Sequence, residues 1–177
     1  MQRLRLLALV LAIILILAAL LFRVSRTRTE PSQYNTPEFP VIGKEGSEHT
    51  HMSILLFIND EAIDFSQTQY QLQSPLVHFE DGDGVIVHKH TTGITLPYLF
   101  ETLDMRLTGD CISLSEGRTY CNEGSKRLRT YLNRKEYVDW DRYELRWGDK
   151  ILIDYGSTSD IDIGLRLNSV PDVPDDL

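Results

Sequence analysis

All five histidines of the chain, His49, His51, His78, His88 and His90, fall between positions 49 and 90, and two of the spacings are His-x-His. On a β-strand, residues two apart point to the same face about 6.6 Å from one another, so such a pair can converge on one ion. Imidazole nitrogen suits zinc and copper in particular. Leu76-Val77-His78-Phe79-Glu80 and Val85-Ile86-Val87-His88-Lys89-His90 flank the turn sequence Asp81-Gly82-Asp83-Gly84. If they pair as a hairpin, His78 comes to lie beside His88. His51, His78, His88 and His90 are therefore the candidate ligands for a copper or zinc ion. The competing reading is a set of solvated or capping imidazoles at strand ends, because no carboxylate stands at a fixed metal-ligand spacing.

The chain has two cysteines. Folding the chain back at Glu116 sets Leu114 against Arg118, Ser113 against Thr119 and Cys111 against Cys121, with Gly117 at the left-handed position that a three-residue hairpin loop requires. Directly opposed residues have Cα atoms about 4.5–5.5 Å apart, within disulfide reach. This register favours a structural Cys111–Cys121 disulfide over reduced core thiols, a redox-active pair or metal ligands. A thioredoxin-type dithiol acidifies one thiol at a helix N-terminus, and neither cysteine begins a predicted helix.

Little else points to chemistry, and no catalytic residue is indicated. Hydroxyls and acids are plentiful, but nothing pairs them into a Ser/His/Asp triad. No Gly-rich phosphate loop is present. Asp81-Gly82-Asp83-Gly84 lacks the later acidic ligands of a calcium loop and reads as a turn. Trp140, Tyr143 and Trp147 read as a small core beside the last strand. The function expected is a binding or interaction domain without evident catalysis, with histidine-mediated metal binding. A thiol–disulfide oxidoreductase or isomerase using Cys111 and Cys121 is the alternative.

The elements that must position these groups are short. Ile54-Leu55-Leu56-Phe57-Ile58, closed by Asn59-Asp60-Glu61 and returning through Ala62-Ile63-Asp64-Phe65, predicts a first hairpin. Thr95 is a candidate N-cap; after it Leu96, Leu99, Phe100 and Leu103 repeat at helical spacing, with Pro97 harmless in the first turn. Leu128, Thr130 and Leu132 alternate with Arg127, Arg129 and Tyr131, and Gly148-Asp149 introduces a strand running from Lys150. Strict alternation of Ile161, Ile163, Leu165 and Leu167 suggests a further edge strand. Phe57-Ile58-Asn59-Asp60-Glu61 and Tyr131-Leu132-Asn133-Arg134-Lys135 look alike, as two hairpins with shared turn chemistry would.

Charge is divided along the chain. The first 28 residues hold five arginines and no acid, while all 26 acidic residues come later, against 13 basic ones, a balance of −13. An acidic body argues against nucleic-acid binding, which needs Lys and Arg to neutralise phosphates. Residues 6–22 form an uncharged aliphatic run that would span roughly 26 Å as a helix, near the lower limit for a bilayer core. A cleaved signal peptide is the rival, but the run is long for one and lacks a clean small-x-small site. The expected organisation is a cytoplasmic N-terminus at 1–5, a single-pass membrane anchor at 6–22, a Pro- and Gly-interrupted stalk at 23–48, an extracytoplasmic domain at 49–168 and a disordered acidic tail at 169–177. The orientation follows from the disulfide, which needs an oxidising compartment. Beyond the membrane, a protein or ligand partner is expected.

The stretch from Thr95-Leu96-Pro97-Tyr98-Leu99-Phe100 through Leu128-Arg129-Thr130-Tyr131-Leu132-Asn133 to Gly148-Asp149-Lys150-Ile151-Leu152-Ile153 resembles the second half of small ubiquitin-like (β-grasp) proteins, the sulfur carriers above all. Leu56-Phe57-Ile58-Asn59-Asp60 is similar to their first hairpin. The chain continues past Gly156 with no Gly-Gly end, so sulfur carriage is not implied. Residues 49–156 also resemble small membrane-anchored archaeal and bacterial proteins often labelled protein-disulfide isomerase; the shared motifs are His51-Met52-Ser53-Ile54-Leu55-Leu56-Phe57-Ile58-Asn59, Asp81-Gly82-Asp83-Gly84-Val85-Ile86-Val87-His88-Lys89-His90 and Gly93-Ile94-Thr95-Leu96. No Cys-x-x-Cys supports that label here. The resemblance implies an α+β domain: a β-grasp-like mixed sheet with one packed helix and an extra N-terminal hairpin, preceded by the transmembrane helix.

Overall fold

The structure, a computed structural model, describes residues 40–174. The anchor expected at 6–22 and most of the stalk lie outside the described residues, among which no helix is long and apolar enough to cross a membrane. The described chain is α+β, with a mixed sheet and two helices. In chain order its elements are β1 (Thr50–Ile58), β2 (Glu61–Ala62), β3 (Val77–His78), β4 (Ile86–Lys89), α1 (Leu96–Thr102), β5 (Arg106–Leu107), β6 (Cys111–Ser113), β7 (Thr119–Cys121), β8 (Arg127–Leu132), β9 (Lys135–Glu136), β10 (Lys150–Gly156) and α2 (Asp160–Ser169).

The main sheet runs β3-β4-β1-β10-β8-β9, with β2 added beside β1; β5, β6 and β7 form a separate small sheet. β1 and β10 are parallel, and every other pairing in the main sheet is antiparallel. Two hairpins carry the same turn, for the reason their sequences suggest. Asn59 and Asp60, and again Asn133 and Arg134, all take positive φ, the conformation of the two-residue type I′ turn whose twist matches the flanking strands.

The sheet is apolar on both faces, and the alternation of β1 shows why. Met52, Ile54, Leu56 and Ile58 point into the larger core, where they meet Val87, Leu96, Leu99, Phe100, Ile151 and Ile153. Leu55 and Phe57 point the other way, into a smaller core with Leu152, Tyr131, Ile163 and Val170. Burying these side chains contributes roughly 1.5–3 kcal/mol each relative to exposure.

The smaller core depends on α2, which corrects the expected edge strand at 161–167. Ser159 Oγ accepts the Asp162 N–H at 3.2 Å and caps the helix, while Asp160 and Asp162 sit favourably in its first turn. Four alternating residues fit either period; here helical spacing prevails, turning Ile163, Leu167 and Val170 toward the sheet and leaving Ile161 and Leu165 exposed. The domain thus has two packed helices rather than one. Arg166 of α2 stacks 4.4 Å over Phe57 and, with Arg129, neutralises Asp154, which is fully buried on β10.

Both ends of the domain are better anchored than the sequence suggests. Within the expected stalk, Gly43 donates to Thr92 O, Gly46 donates to His90 O at 2.8 Å, and Glu48 pairs with Lys89. In the expected tail, Ser169 closes α2, Val170 is buried, the Pro171 carbonyl accepts from Ser53 Oγ, and Asp172 pairs with Lys150.

Candidate metal centre

Three adjacent strands bring three histidines into one row. His51 on β1 is register partner to His88 on β4, and His88 is partner to His78 on β3, as the hairpin reading requires. His49 and His90 lie one pleat beyond His51 and His88, so alternation gives them the same face. The five rings close into a circuit, with centroids 4.7 Å apart for His49–His51, 4.4 Å for His51–His88, 6.1 Å for His88–His78, 5.0 Å for His78–His90 and 4.8 Å for His90–His49. The cluster occupies the face that α2 covers farther along β1, and the chain leaves α2 beside Ser53, two residues from His51.

Within the circuit, His49, His51 and His88 each offer a ligand atom, and the three atoms lie within 4.8 Å of one another. His49 Nε2 and His51 Nε2 are 3.1 Å apart. Two ligands about 2.0–2.1 Å from a tetrahedral zinc stand roughly 3.3–3.4 Å apart, slightly wider than this pair, whose nitrogens share a hydrogen bond that an ion would have to replace. His51 Nδ1 and His88 Nδ1 are both buried with no hydrogen bond. His88 Nδ1 nonetheless lies 3.2 Å from Glu80 Oε1, which leaves His51 Nδ1 as the buried imidazole nitrogen with neither a hydrogen bond nor an ion-pair partner among the described residues, at a cost of about 1–3 kcal/mol.

Of the histidines expected as ligands, His51 and His88 belong to this trio. His78 and His90 do not, although both stand beside it. Each His78 nitrogen already faces an acceptor oxygen, Nδ1 the Ser74 carbonyl at 2.6 Å and Nε2 the Glu80 carboxylate at 3.1 Å, so both act as donors and neither is left to bind an ion. His49, which sequence reasoning left out, takes a ligand place. Its signal was present in the first His-x-His spacing.

Burial keeps the imidazoles of His51, His88 and His90 neutral. His51 is 2% exposed, and burial, followed by the neighbouring imidazoles of His88, His49 and His90, pushes its pKa down to about 4. Burial also lowers His88 and His90. Glu80 stays well ionised: burial would raise it, but His88 and His78 outweigh that. Neutral imidazoles carry the lone pairs that a metal requires. Lys89, between His88 and His90 in sequence, points to the opposite face, where it is 1% exposed and bonds the Leu145 carbonyl at 2.6 Å and Glu48 at 2.9 Å.

Trp147 was expected in a small core with Trp140 and Tyr143. Those two do pack against the larger core. Trp147 remains 51% exposed, its ring edge-on to His51 at 5.4 Å, and the adjacent Gly148 N–H bonds the His51 carbonyl at 2.9 Å.

The cysteines are elsewhere, in the small sheet. Cys111 and Cys121 are opposed, as the hairpin register requires, and form a disulfide with Cα atoms 4.0 Å apart. Gly117 turns the loop with φ of 88°. Neither cysteine lies at a helix N-terminus.

Comparison with protein-family models, curated proteins and solved structures gives no match.

Proposed function

We propose that the chain is a membrane-anchored extracytoplasmic binding domain of β-grasp type, in which His49, His51 and His88 hold a zinc or copper ion. The observation that carries the metal reading is the convergence of three imidazole ligand atoms within 4.8 Å of one another on one face of the sheet. The order β4-β1-β10-β8-β9 around a parallel central pair, with α1 joining the two halves, supports the β-grasp assignment, and β2 supplies the extra hairpin. The Cys111–Cys121 disulfide supports an oxidising compartment and hence an N-terminus inside and a body outside. As opposed strand residues without a helix N-terminus to acidify them, the cysteines suit a structural bond better than thiol–disulfide exchange. The deciding experiment is calorimetric titration of the full chain, in detergent, with zinc and with copper, alongside thermal denaturation. Equimolar binding and a raised melting temperature are expected; micromolar metal that moves neither would sink the proposal.

A further inference from the structure

We infer that Glu80 is the positioning residue of this site, fixing which nitrogen of His88 faces the ion; the inference rests on the metal reading above. Glu80 follows β3, and its two carboxylate oxygens are divided between two imidazoles: Oε2 lies 3.1 Å from His78 Nε2, and Oε1 lies 3.2 Å from His88 Nδ1. A carboxylate oxygen only accepts hydrogen bonds, so an imidazole nitrogen held against it must carry the proton. Neutral His88 is thereby set in its Nδ1–H form, with the lone pair on Nε2. His88 Nδ1 is buried and otherwise unpartnered, and the contact with Oε1 lacks hydrogen-bond alignment. Glu80 Oε1 is thus the acceptor toward which that N–H turns when Nε2 takes the ion.

His78 has a different part. Its Nδ1 donates to the Ser74 carbonyl at 2.6 Å, which locks the ring, and its Nε2 donates to the second carboxylate oxygen, so both ring nitrogens carry protons. His78 clamps Glu80, Glu80 orients His88, and His88 meets the ion. A carboxylate behind a ligating imidazole raises the basicity of the ligand and sets its tautomer, and removing such a partner typically lowers metal affinity 10–100-fold. The cluster therefore uses His78 without making it a ligand.

The test compares the full chain in detergent with its Glu80→Gln and His78→Phe variants, using zinc as the probe. Glu80 is one-third exposed, and the Gln side chain keeps its shape, so the apo variant should melt within a few degrees of the parent. Zinc affinity should fall 10–100-fold in Glu80→Gln and by a smaller factor in His78→Phe. Long-range nitrogen–proton spectra of the zinc-loaded parent should show His88 protonated at Nδ1. If the parent binds zinc and Glu80→Gln binds it equally well, or if His88 is protonated at Nε2 in the zinc-loaded parent, the role of Glu80 is overturned while the metal site stands. If the parent binds no zinc, both fall together.

Discussion

His51 stands directly opposite His88 in the antiparallel β1–β4 ladder, with the two ring centroids 4.4 Å apart. Two imidazoles this close, both nearly out of water, cannot readily carry charge together, and His49, His78 and His90 crowd them further. Among the described residues, Glu80 is the carboxylate in direct contact with these rings, through His78 and His88.

Acid should therefore destabilise the domain before its carboxylates titrate. In the unfolded chain a histidine titrates near 6.5, whereas in the fold His51 is held down to about 4 and His88 and His90 are also lowered. Between these values the unfolded state binds more protons, so stability is full above about pH 6.5 and falls as pH drops toward 4. His51 alone would account for up to about 3 kcal/mol of that loss. Urea denaturation of the metal-free chain at pH 7.5, 5.5 and 4.5 measures it, and His51→Phe should flatten the slope. A parent curve flat between pH 7.5 and 4.5 would contradict the lowered pKa values of His51, His88 and His90.

The ligand trio should separate from its neighbours by mutation. His51→Ala and His88→Ala should each lower zinc or copper affinity at least 100-fold, and exposed His49→Ala by about 10-fold or more, on the scale that ligand loss exceeds loss of an outer partner. His90→Ala should cost less than any of the three. Calorimetry gives the affinities, and quenching of Trp147 fluorescence offers a local readout, since its ring lies 5.4 Å from that of His51. Equal losses at His90 and His51 would mean that the ion sits elsewhere in the circuit.

What could be read from the sequence followed chain proximity. The opposition of His78 and His88 and that of Cys111 and Cys121 were legible because each belongs to one hairpin, in which a turn sets the register. The opposition of His51 and His88 was not, because β4 pairs with β1 across the intervening β2 and β3, and no local pattern specifies such a partner. Trp147 reaches His51 only because the turn at Gly148 precedes a strand parallel to β1, again a long-range pairing. His49 precedes β1, and only its His-x-His spacing from His51 marks it as a neighbour of the site.

The disulfide should act as a staple on the small sheet. The loop it closes is short, so restricting the unfolded chain contributes about 2–3 kcal/mol. Cys111→Ser or Cys121→Ser should lower the melting temperature by several degrees without changing zinc affinity, because the cysteines are outside the histidine cluster. Neither variant should differ from the parent in reducing insulin. Insulin reduction by the parent that is lost in both variants would instead support the exchange enzyme.

The C-terminal helix provides the sharpest test of fold, because strand and helix assign opposite roles to neighbouring residues. A strand would give Ile161, Ile163, Leu165 and Leu167 one common face. The helix buries Ile163 to 5% exposure and leaves Leu165 at 63%. Ile163→Ala should therefore cost about 2–4 kcal/mol through the cavity it opens against Leu152 and Tyr131, and Leu165→Ala less than about 0.5 kcal/mol. Ser159→Ala, which removes the cap, should cost about 1 kcal/mol. Chemical denaturation of the three variants gives these values. Equal losses at Ile163 and Leu165, with none at Ser159, would restore the strand and remove the cover from Leu55, Phe57 and Leu152.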